Sequence, residues 1–141
     1  MTTYQSDFYL WTQQQANLLR QGALSALDVE NLIEEVDDMG ASRARELESR
    51  LSVLLAHLLK WIVQPERRGN SWRLTIKEQR RRVHRLLEKN PSLRPHLLET
   101  IDDVYGDAVL IAAREMNKEE SEIPDECPFT VEQITGDWWP E

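Results

Sequence analysis

Five carboxylates, Glu30, Glu34, Glu35, Asp37 and Asp38, fall within nine residues of the chain. Acidic oxygens spaced three and four apart on a helix can hold a divalent cation, and such a cation polarises a phosphate ester for attack by water. His57 is the second candidate. It lies inside the apolar run VLLAHLLKWIV, where an imidazole can act as metal ligand or general base if a carboxylate reaches it. Glu34, Glu35, Asp38 and His57 form the candidate polar site, on condition that the helices carrying them pack as an antiparallel hairpin. The opposing expectation is a solvated acidic face and a core histidine bonded to a backbone carbonyl or a neighbouring carboxylate. At about 100° per residue, Asn31, Glu34 and Asp38 point away from the apolar face of Val29, Leu32, Ile33, Val36 and Met39, and Glu35 alone borders it. A divalent cation is therefore a disfavoured cofactor, and no Glu-x-x-His pair offers a di-iron bundle site.

A third constellation is basic. Between Arg67 and Lys89 there are nine Lys or Arg against two Glu. Arg73, Lys77, Arg80, Arg81 and Arg85 sweep one side of a helix, as anion-contacting residues do. The acidic helix carries six acids from Asp28 to Asp38 and no base, so the two runs can also neutralise each other within one chain or across a homo-oligomer. A formal net charge of −8 opposes encounter with phosphate backbones, which makes nucleic acid the weaker partner. Cys127 is the single cysteine and has acidic Glu126 beside it, so neither a multi-cysteine metal site nor an activated thiolate is expected.

The elements that must position these groups are all helical. Asp7 caps a helix over 8–21 that Gly22 ends, and Asp28 stands at the cap of a second over 24–39, closed by Gly40. A third, 43–64, carries the stripe Leu47, Leu51, Leu54, Leu55, Leu58 and Ile62 and stops at Pro65. Helices over 72–89 and 93–117 follow, then a Pro-rich strap, 118–141, extended but for at most one short helical segment over Thr130 to Thr135, and held down by Ile123, Phe129, Ile134, Trp138 and Trp139. The fold expected is all-α: a single domain of 141 residues, a bundle of about five helices centred on the third. The longest apolar stretch, Leu51 to Val63, falls short of the ~20 residues a span requires, so no membrane is expected. The lone cysteine and the lack of a visible signal segment fit the cytoplasm.

The segments YQSDFYLWTQQQANLLRQG, LDVENLIEEVDDMG, HLLKWIVQPERR, SWRLTIKEQRRRV, NPSLRP and PDECPFTVEQI occur in that order. Together they resemble the bacterial family catalogued as domain of unknown function 29, along essentially the whole chain. The resemblance implies an all-helical cytoplasmic domain and supplies no activity; Glu34, Glu35, His57, Lys60, Trp72 and Arg80 are matching motif positions without assigned roles. The run EEVDD also resembles, over one helix only, the metal-binding helix of all-helical nucleotide pyrophosphohydrolases. Because no catalytic set is complete, the expected function is a non-enzymatic protein-interaction domain, binding itself through opposite charge faces or another protein. The alternatives are a metal-dependent nucleotide or phosphate-ester hydrolase, and anion or nucleic-acid binding by the basic helix.

Overall fold

Asp7, Gly22 and Asp28 set the boundaries of the first helices. The structure is a computed structural model that describes residues 3–141. A short helix α1 (Thr3–Ser6) leads into α2 (Phe8–Gln21). Asp7 Oδ1 accepts from the Leu10 amide at 3.0 Å and satisfies one of the amides that a helix start leaves unpaired. Gly22, at φ +71°, ends α2 in the left-handed region, which costs glycine nothing and lets the Ala23 amide donate to Leu18.

The long helix α3 (Val29–Val63) corrects one expectation. Separate helices over 24–39 and 43–64 do not form, because the chain continues through Gly40, Ala41 and Ser42 without a break. A glycine inside a helix costs only ~1 kcal/mol relative to alanine, and here it does not take the positive φ that would end the helix. Residues 24–26 instead make one turn of 3₁₀ helix.

The chain divides into two compact units, residues 1–42 and 43–141. In the first, α2 and the start of α3 are tied at Asp28. Trp11 Nε1 donates to Asp28 Oδ2 at 3.0 Å, and the Asp28 amide donates to Gln15 Oε1 at 2.8 Å. Trp11 and Gln15 are accordingly buried. Tyr4 packs edge-on against Phe8 and Trp11.

The second unit holds the large core. Leu51, Leu54, Leu55 and Leu58 of α3 recur at three and four and are fully buried. They join Ile76, Val83 and Leu87 of α4 (Asn70–Lys89) and Ile101, Val104 and Ala108 of α5 (Leu97–Met116) in one cluster. Pro65 stops α3, and Pro91–His96 forms a 3₁₀ turn before α5. The last segment adds a 3₁₀ turn at Glu120–Glu122 and a short α6 (Val131–Thr135), whose Thr130 and Gln133 cap each other reciprocally. The protein is all-α: among the described residues there are six α-helices and no strand, and no helix is long and apolar enough to cross a membrane.

Candidate functional site

The acidic constellation is real as a surface feature. Glu34, Glu35, Asp37 and Asp38 line an open cavity of about 420 Å³ with Tyr4 and Ala41. The Tyr4 hydroxyl donates to Glu35 Oε1, and that donation, chiefly, pushes its pKa up to about 12. Among the described residues, however, no three His, Cys, Asp or Glu side chains converge as a metal-binding group. The hairpin that would have carried Glu34 or Glu35 to His57 does not exist, since both ends of it belong to α3 and one helix cannot fold back on itself.

His57 is half-buried on α3. Its Nδ1 lies 2.9 Å from the Val53 carbonyl one turn earlier, so Nδ1–H donates there. Burial is the main cause that lowers its pKa below the ordinary 6.5, and nearby Lys60 lowers it further. The neutral imidazole thus has its proton committed to the backbone of its own helix.

The basic helix is partly consumed by structure. Arg80, only 6% exposed, donates through Nε to Ile134 O at 2.9 Å and through Nη2 to Gln133 O and Trp138 O at 2.9 and 2.6 Å. Its guanidinium also lies over the Trp139 ring. Arg80 therefore ties α4 to the C-terminal segment and is not free to hold an anion. Arg68 behaves alike, donating to Trp61 O at 2.7 Å and covering the Trp61 ring. Arg73 bonds Asn70, while Lys77, Arg81 and Arg85 stay exposed. Lys77, Arg81, His84, Asp137 and Trp139 border a cavity of about 410 Å³.

The feature that the sequence leaves unplaced is the apolar face of the first unit. Val29, Ile33, Val36 and Met39, read from the sequence as one apolar face, are 54, 58, 62 and 67% exposed. Phe8, Leu19 and Leu24 are also exposed, and nine of the thirteen exposed large hydrophobics among the described residues lie between Phe8 and Met39. Part of this face is concave: Trp11, Leu19, Leu32, Val36 and Met39 help line an apolar groove of about 440 Å³ between α2 and α3. Amphipathicity shows that one side of a helix avoids water, but not what covers it. The available signal was arithmetic of layers: two helices joined by a short connection make one layer, and one layer leaves a face open.

The chain belongs to the family described as domain of unknown function DUF29, whose family model matches residues 3–139. No curated protein and no solved structure matches the chain.

Proposed function

We propose that this chain is a non-enzymatic protein-interaction domain whose docking surface is the apolar face of residues 8–39. The observation that carries this reading is the concentration of exposed Val, Ile, Leu, Met and Phe side chains there: Phe8, Leu19, Val36 and Met39 line the α2/α3 groove, and Val29 and Ile33 line an adjoining patch that shares Leu32 and Val36 with it. Scattered exposed hydrophobics are ordinary, whereas a contiguous set on one small unit marks a surface that is covered in use. Completing the burial of a half-exposed aliphatic side chain contributes roughly 1 kcal/mol, so five at once give about 5 kcal/mol toward the cost of association. Among the described residues no group of His, Cys, Asp or Glu converges to support the hydrolase reading. The cytoplasm as the site of action rests on the single cysteine, Cys127, which suits a reducing compartment, and a bacterial source rests on the family resemblance alone.

A photoreactive amino acid in place of Ile33 tests the interaction reading in cells. The expected result is a discrete protein adduct that a probe in place of Glu88 on α4 does not give, and that Val36→Asp abolishes. No adduct, or the same adducts from both positions, overturns the reading.

A second reading, anion binding at α4, has one observation in its favour: Lys77 and Arg81 are exposed side by side on the rim of the cavity beside Trp139. Inorganic pyrophosphate raising the melting temperature of the native chain, but not of Lys77→Ala/Arg81→Ala, supports it; no shift in either removes it.

A further inference from the structure

Resting on the interaction reading above, we infer that the groove between α2 and the start of α3 takes a basic amphipathic α-helix of a partner protein. Both walls of the groove are helical, so their backbone N–H and C=O groups are already paired and no strand edge is offered to an extended peptide. What a two-helix surface offers is ridges and a furrow, into which the apolar stripe of a third helix fits. Trp11, Leu19, Leu32, Val36 and Met39 supply that furrow.

The charge around the groove selects the partner. Glu35 lines both the apolar groove and the neighbouring acidic cavity, which adds Glu34, Asp37 and Asp38. Asp37 also borders the outer apolar patch of Val29, Leu32, Ile33 and Val36. The carboxylates therefore stand on the α3 side of the groove, Glu35 in its lining and Asp37 on the far side of the α3 stripe, where they meet the Lys or Arg flanking the apolar stripe of a docked helix, while α2 carries no acid.

A second copy of the same face is the poorer occupant. Residues 1–42 carry seven acidic side chains and one basic one, Arg20, so face-to-face pairing sets like charges against each other. The chain's own basic helix is also a poor fit. Leu74 is the only exposed large hydrophobic on α4, too little to fill an apolar furrow.

The test uses the full chain and a labelled synthetic helix of roughly three heptads, with Leu along one face and Lys on the flanks. An isomer with Glu in place of every Lys, and a scrambled Leu/Lys peptide, serve as controls. Fluorescence anisotropy should show the Lys helix bound at least about tenfold more tightly than either control, with affinity falling as salt rises. Val36→Asp/Met39→Asp should abolish this binding. The substitution adds negative charge, so attraction of a basic peptide by charge alone would strengthen instead. Both positions are exposed, and an unchanged circular dichroism melt keeps the comparison free of misfolding.

Equal binding of the Lys and Glu helices, tighter binding by the Asp variant, or no binding of any helix overturns the basic helix as occupant. A native dimer that Val36→Asp/Met39→Asp dissociates also overturns it, in favour of a second copy. In each of these cases a discrete Ile33 adduct leaves the interaction reading standing, and its absence removes both.

Discussion

The Arg80 guanidinium donates to the Trp138 carbonyl at 2.6 Å, joining the middle of α4 to a segment 58 residues further along the chain. The same side chain also holds the carbonyls of Gln133 and Ile134. Charged hydrogen bonds of this kind are worth about 1.5–3 kcal/mol each at most, and they share one donor group. Arg80→Ala should therefore cost about 3 kcal/mol in urea unfolding and expose residues 124–141 to protease. Arg80→Lys should recover only part of that, since an ammonium lacks the planar fork. A neutral Arg80→Ala would show that the segment is held by its other contacts, among them the buried Ile123 and Ile134, the Tyr105 hydroxyl on Pro124 O and the Trp61 indole on Pro140 O.

Lys60 is a buried cation with one close acidic partner. It is 4% exposed, its ammonium is 2.7 Å from Glu115 Oε2, and Trp72 lies beside it at 5.7 Å. Removing the carboxylate leaves the charge stranded, so Glu115→Ala should destabilise by about 2 kcal/mol, tempered by the partial exposure of Glu115. Lys60→Met removes charge and demand together and should cost less than Glu115→Ala. The reverse order in thermal melts would contradict this account of the pair.

His57 gives the chain a defined acid sensitivity. Its folded pKa is lowered from 6.5, chiefly by burial, so the unfolded chain takes up the proton first. The contribution of the neutral imidazole is fully present above about pH 6.5 and is lost as pH falls through that value toward the lower folded pKa. The stability difference between the native chain and His57→Gln should narrow between about pH 7 and pH 5. A difference that stays constant over this range would mean that His57 titrates alike in both states.

Most of the second unit was legible in the sequence because burial there follows helical spacing directly. Leu47, Leu51, Leu54, Leu55 and Leu58 are core, and Pro65, which lacks the N–H that α3 would need to continue, is a stop. Gly40 was not a stop, since a glycine ends a helix only where the backbone turns left-handed, as at Gly22 and not at Gly40. The candidate site was harder. A sequence shows that Arg80 is charged, not that three carbonyls more than fifty residues away wait for it. It shows that His57 needs a partner, not that Val53 on the same helix supplies one. The stripe from Val29 to Met39 was visible; its exposure was not, because that depends on how many layers the chain builds around it.

The stability of Val36→Ala/Met39→Ala in isolation measures directly whether that stripe lies outside the chain's own core. At 62 and 67% exposure, truncating the two side chains should change the free energy of unfolding by no more than about 0.5 kcal/mol each, beside the ~2–5 kcal/mol expected for Leu55→Ala in the core. A loss of about 2 kcal/mol or more per residue would mean that the chain itself covers this face and leaves no surface there for a partner.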